Sequence, residues 1–195
     1  SIRTYLDLKA LFISFFGLKN LFPPRYRGLV IKLLGPLLGQ TVRSYLDCYR
    51  DEKGPISVND VPGACFCVKR EVVEEVGLLD ENFFMYYEDT DWSIRIKKSG
   101  WELYILTEAL IIHYARQSAN KVFNRTFVAR CKSTYYYFRK HGDKKSILAL
   151  KLIIISALLL RMAALSFYYP FMKNRRRQEI KARVKTYWEV VRFSP

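Results

Sequence analysis

The stretch Phe83-Phe84-Met85-Tyr86-Tyr87-Glu88-Asp89-Thr90-Asp91-Trp92 constrains the chain more than any other. Three carboxylates fall within four residues, directly after five large apolar or aromatic side chains. Like charges so close repel, and a carboxylate beside apolar surface loses hydration, so the fold has to compensate them. The residues that follow offer the means. Trp92 and Ile96 fall at i,i+4, cations stand at Arg95, Lys97 and Lys98, and Gly100 marks a stop, which is the pattern of a short helix. Glu88, Asp89 and Asp91 then lie at its N-terminus, where free N–H groups and the macrodipole favour negative charge. A plain acidic cap has the same pattern; three acids beneath an aromatic wall point to a site.

The rest of the chain has the material for a core. Half of its 195 residues are apolar and 15% are aromatic, enough for one domain or somewhat more. In residues 1–35, Tyr5, Leu8, Leu11, Phe12, Phe15 and Phe16 fall near helical spacing until Pro23-Pro24 breaks the pattern. Residues 51–60 are polar around Gly54-Pro55 and predict a loop. Residues 61–68 predict a turn feeding a buried strand, with Gly63 and Ala64 small where a backbone approaches a ligand. Residues 70–76 predict a helix stopped by Gly77, and residues 101–105 and 109–113 predict two strands. This order of elements is that of the back half of an α/β layer domain. His113 closes the second strand, a place where α/β folds put site residues. A lone His is more often structural or at the surface; the acid cluster 24 residues upstream makes metal ligation the other reading. Cys48, Cys65, Cys67 and Cys131 lack zinc-finger spacing. Alternation puts Cys65 and Cys67 on one strand face, and we expect buried free thiols in a reducing compartment.

Charge is distributed unevenly. From Arg116 onward there are 19 Lys/Arg against 3 Asp/Glu, net +16, whereas residues 1–115 sum to −1. An anionic partner is therefore expected for the C-terminal part alone. Residues 119–141 read as a helix that interleaves aromatic and basic side chains, a pattern also found in nucleic-acid binders. The next segment argues for a membrane instead. Residues 146–171 are apolar, but Lys151 and Arg161 interrupt them with only nine uncharged residues between the two, 152–160; a spanning helix needs roughly 20. We expect a helix lying in the membrane surface, with Tyr168 and Tyr169 at headgroup level. Lys173, Arg175, Arg176 and Arg177 then form a polybasic patch for anionic lipid. A core helix with a solvated basic tail fits the same residues.

Several spaced motifs occur in order: Gly63-Ala64, Lys69-Arg70-Glu71, Gly77-Leu78-Leu79-Asp80-Glu81, the stretch from Phe83 to Asp91, Arg95, Gly100-Trp101, Glu108-Ala109, His113 and Gln117-Ser118. The set resembles the C-terminal half of family 2 glycosyltransferases, in particular the rhamnosyltransferase-like branch that builds bacterial surface polysaccharides. The resemblance covers residues 61–118 and, more loosely, residues up to 141. It implies a GT-A type, Rossmann-like α/β domain followed by a helical, membrane-associating region. The implied activity is inverting transfer of a sugar from a nucleotide-diphosphate donor to a saccharide or lipid-linked acceptor. Asp89 aligns with the family's general base; Glu88, Asp91, Tyr86, Tyr87, Trp92, Gly63 and Ala64 then belong to the acceptor side. His113 aligns with a residue that in some relatives helps to bind a divalent cation, Mg2+ or Mn2+. Thr107 stands where a Pro often precedes Glu108-Ala109, and Tyr114-Ala115-Arg116 replace a Gly-rich stretch. Residues 1–60 do not resemble the family's donor-binding half. We therefore expect residues 1–60 to continue a truncated domain, 61–118 to be its acceptor half, and 119–195 to be the basic helical region. The chain alone is expected to bind nucleotide sugar poorly. The expected location is the cytoplasmic face of the membrane, with no nucleic-acid partner; the alternative is a non-catalytic membrane-surface or partner-binding module.

Overall fold

The structure is a computed structural model that describes residues 8–17, 54–112 and 123–193. His113, Gln117-Ser118, Cys48 and the Pro23-Pro24 break lie outside the described residues. Within them the protein is mostly helical, with one small sheet. The elements are α1 (Leu8–Phe15), β1 (Pro55–Val58), α2 (Arg70–Val76), α3 (Glu88–Lys98), β2 (Leu103–Leu106), α4 (Phe123–His141), α5 (Lys144–Tyr168), a 3-10 turn at Tyr169–Phe171, and α6 (Asn174–Phe193).

The helices start and stop where their punctuation dictates. Gly77 ends α2 at φ 82°, with its N–H on the Val73 carbonyl, and Gly100 follows α3 at φ 86°; both are left-handed positions that favour glycine. Asp143 opens α5 by accepting the Ser146 N–H at 2.8 Å, a side-chain N-cap.

The β content departs from expectation. The α/β layer reduces, among the described residues, to β1 and β2, paired antiparallel with Pro55 opposite Leu106 and Val58 opposite Leu103. β1 lies inside the stretch expected to be a loop, because Ile56 and Val58 alternate toward the core between polar neighbours. The strand expected over residues 61–68 is instead a turn and irregular chain. Pro62 lacks a ladder donor, and the Gly63 N–H is engaged by the Asp89 side chain. Cys65 and Cys67 are consequently exposed rather than buried; Cys131 alone of the described thiols is buried, and burial pushes it up to about 12. Residues 109–112 form no strand and are exposed.

Two apolar clusters hold the molecule. One gathers α1, α4, α5 and α6 around Leu11, Tyr135, Leu150, Ile154, Leu158 and Val190. The other packs Val58, Val61, Val72, Trp92, Ile96 and Leu103 beneath the sheet. α3 belongs to both, since Ile94 faces the helical cluster and Trp92 and Ile96 face the sheet; at about 100° per residue these are opposite faces. α5 with the turn after it, Lys144–Phe171, is long and apolar enough to cross a membrane. Of the two cations that interrupt it in sequence, Arg161 points inward and donates to the Phe15 carbonyl at the end of α1. Leu148, Leu152, Leu159, Leu160, Phe167 and Phe171 are exposed along its outer side.

Candidate functional site

The acidic stretch enters α3 through two consecutive left-handed residues, Tyr86 at φ 71° and Tyr87 at φ 69°. Such angles cost an L-residue on the order of 1–2 kcal/mol each and persist only where surroundings impose them. Three contacts do so. The Ser133 hydroxyl of α4 donates to the Met85 carbonyl at 2.7 Å, the Tyr87 carbonyl accepts the Asp91 N–H at 2.8 Å, and the Tyr87 ring lies 5.9 Å from that of Tyr137. The sharp bend leaves Phe84 85% exposed and delivers Glu88, Asp89 and Asp91 to the first turn of α3.

The three acids have three different environments. Asp89 is partly exposed. Its carboxylate accepts the Gly63 N–H at 2.8 Å and the Thr90 N–H at 2.9 Å. A Cβ at Gly63 would meet the Asp89 Cβ at 3.4 Å and Oδ2 at 3.6 Å, ordinary van der Waals distances, so this contact does not itself demand glycine. Glu88 is half-buried. Burial first, and the neighbouring Asp89 charge as well, push its carboxyl above the usual range. Its enclosed Oε2 has no hydrogen-bond partner among the described residues.

Asp91 is fully enclosed, 0% exposed. Oδ2 accepts from Arg95 Nε at 2.9 Å, while Oδ1 accepts from Lys140 Nζ at 2.8 Å and His141 Nε2 at 2.7 Å. Burial opposes this charge, yet Lys140, His141 and Arg95 together hold the carboxyl below its ordinary range. Lys140 also reaches Asp80 at 2.6 Å, where Tyr136 donates at 3.0 Å. Arg95 spends its other nitrogens on the Val76 and Leu78 carbonyls at 2.8 and 2.7 Å.

Of the residues expected on an acceptor side, Gly63, Ala64, Glu88, Asp89, Tyr86 and Tyr87 keep some exposure near the N-terminus of α3. Asp91 and Trp92 are turned inward, Trp92 being 9% exposed with its Nε1 donating to the Gly77 carbonyl at 2.9 Å. Both act by fixing α3 rather than by lining open surface. Lys173 and Arg176 are exposed at the start of α6, the helix whose backbone includes Arg175. Arg177 there is half-buried. Lys140 and His141 escaped residue-by-residue reading, since about 50 positions separate His141 from Asp91. Phe84 was within the stretch, but nothing in the sequence distinguished it from its buried neighbour Phe83. It borders a cleft of about 390 Å³ with Asn82, Arg125, Lys132 and Glu189.

As for a cation, no group of three His, Cys, Asp or Glu comes together among the described residues. Asp89-Thr90-Asp91 reads as an Asp-x-Asp, but both oxygens of Asp91 are taken by cationic side chains. That pair does not fit a metal.

The chain is 31% identical over 118 residues to an N-acetylglucosaminyl-diphospho-decaprenol L-rhamnosyltransferase of Mycobacterium tuberculosis, covering 59% of this chain and 38% of that protein. It is 30% identical over 78 residues to rhamnosyltransferase WbbL of Escherichia coli K12, covering 40% of this chain and 30% of that protein. These relatives are glycosyltransferases. The alignment spans less than half of either rhamnosyltransferase. No protein-family model and no solved structure matches the chain.

Proposed function

We propose that the chain is the acceptor-side part of an inverting glycosyltransferase of family 2 and GT-A type, acting on a lipid-linked saccharide at the cytoplasmic membrane face. The observation that carries the reading is Asp89: a partly exposed carboxylate aimed by two backbone N–H groups at a helix N-terminus, in a chain whose relatives are named rhamnosyltransferases. In this role Asp89 accepts the proton of the acceptor hydroxyl as that oxygen bonds to the anomeric carbon and the nucleoside diphosphate leaves with the other bonding pair. Glu88, its carboxyl raised above the usual range by burial and by the Asp89 charge, stands beside Asp89 on the acceptor side. Phe84 offers an apolar face for a sugar ring, and Arg125 and Lys132 across the cleft suit the phosphates of a carrier lipid. The nucleotide-sugar donor, and the Mg2+ or Mn2+ expected to accompany its diphosphate, would be held by residues other than Asp91.

The membrane part of the proposal rests on α5. With Arg161 turned inward, its outer side presents Leu148, Leu152, Leu159, Leu160, Phe167 and Phe171, with the partly exposed Lys151 the one charge between Leu148 and Phe171 besides Arg161. α4 and α6 pack against the same helix, and both are rich in Lys and Arg. Carrying them into hydrocarbon would be costly, so α5 resting in the interface is favoured over spanning.

The test of the catalytic reading is Asp89→Asn in the full natural protein. Transfer is expected to fall by about 10²–10⁴-fold with the fold unchanged; transfer retained within about tenfold removes Asp89 from the base role.

A further inference from the structure

We propose that the cleft between the C-terminal end of α5 and α6 is a binding site for the phosphate head group of an anionic membrane phospholipid. The cleft has a volume of about 450 Å³ and is walled by Ser166 and Tyr169 on one side and by Lys181, Val184, Lys185 and Trp188 on the other. Lys181, Lys185 and Trp188 follow one another at i, i+4 and i+7 along α6, so two ammonium groups and an indole lie on one ridge. Beneath them Ile180 and Val184 make an apolar floor.

Three observations select this ligand chemistry. First, no acidic residue lines the cleft, and neither lysine forms a salt bridge among the described residues. Two cations over an apolar wall without a counter-charge are arranged for an anion that carries its own apolar part. Second, Arg177 stacks on the Tyr169 ring at 5.5 Å and donates to the Pro170 carbonyl at 2.9 Å. Its enclosed Nε has no partner among the described residues, so a third cation with an unused donor borders the same tyrosine. Third, the exposed Trp188 lines the cleft, and the exposed Phe167, Tyr168 and Phe171 flank its wall residues Ser166 and Tyr169 along the chain. Tyr and Trp are the side chains enriched at headgroup depth.

The phosphate belongs to a structural lipid rather than to the acceptor. No residue of 80–91 lines this cleft, whereas Asn82 and Phe84 border the separate cleft beside the acid stretch. The proposal deepens, and rests on, the interfacial reading of α5.

The experiment is co-flotation of the full natural protein with phosphatidylcholine vesicles, either plain, doped with phosphatidylglycerol, or doped with polyprenyl phosphate. Expected is binding that requires phosphatidylglycerol and falls about 10- to 30-fold in Lys181→Gln/Lys185→Gln. It should be kept in Lys181→Arg/Lys185→Arg and in the exposed control pair Lys69→Gln/Lys98→Gln. Brominated lipid should quench fluorescence that disappears in Trp188→Phe. Equal loss in the control pair, or no quenching assignable to Trp188, overturns the site while leaving membrane association standing. Binding that needs polyprenyl phosphate and ignores phosphatidylglycerol overturns the phospholipid assignment. No binding of the unsubstituted protein to any vesicle overturns both the site and the interfacial reading of α5.

Discussion

Glu88 and Asp89 are chain neighbours, and the tertiary structure gives them different surroundings. Asp89 receives two backbone N–H groups. Glu88 receives a half-buried position and an enclosed oxygen without a hydrogen-bond partner among the described residues. Its carboxyl is raised above 4.5, by burial first and by the Asp89 charge as well, so folding favours the protonated form. The stability tied to Glu88 is therefore full below pH 4.5 and is lost as pH rises through the folded-state value. Glu88→Gln removes that loss. We expect the variant to melt higher than the parent at pH 7, with the gap closing on titration below pH 4.5, as thermal unfolding across pH will read. Three acids at a helix start were legible as a cluster. Which acid would be solvated, which strained and which sealed was not, because the donors and the low-dielectric walls come from Gly63 and from α4, far along the chain.

At the scale of elements, the punctuation of the chain was reliable and its strands were not. Gly77 and Gly100 act within one helical turn of where they stand in sequence, so α2 and α3 could be placed locally. A strand needs a partner, and the partner of β2 lay in a segment whose polar composition had suggested a loop. For α5 the linear count of uncharged residues understated its apolar surface, because Arg161 faces α1 rather than the outside. If the outer side of α5 rests on lipid, charges placed there should release it. Leu152→Glu/Leu159→Glu is expected to abolish vesicle flotation while leaving circular dichroism unchanged, since both leucines are exposed and each removes about 1.5–3 kcal/mol of apolar burial in the membrane. Retained flotation would falsify the interfacial placement of this helix.

Across the whole molecule, the sheet-side cluster and the helical cluster meet at α3 and are bolted by one network, in which Lys140 bridges Asp80 and Asp91 while His141 and Arg95 complete the shell of Asp91. Removing one partner of an enclosed ion pair strands the others, at a cost of about 3–5 kcal/mol. Asp91→Asn should therefore destabilise the protein by roughly that amount in urea titration. Asp91 is held below 3.8 despite burial, by Lys140, His141 and Arg95, and Asp80 is likewise depressed, chiefly by Lys140. Their stabilisation is present above pH 3.8 and is lost as pH falls through the folded-state values. The parent should lose stability in acid, and Asp91→Asn should flatten that limb. The amino-acid sequence by itself determined the short-range features: where helices begin and end, that an acidic cluster sits at a helix N-terminus, that the C-terminal part is basic, and that the motif order resembles glycosyltransferases. These follow from neighbours within a turn or two, or from patterns that survive without coordinates. Only the tertiary structure decided that Asp91 is a sealed structural anion while Asp89 keeps exposure, that Phe84 is outside and Trp92 inside, and that Arg161 points inward from α5. Burial and charge pairing depend on which distant segments close over a residue, and no local spacing encodes that.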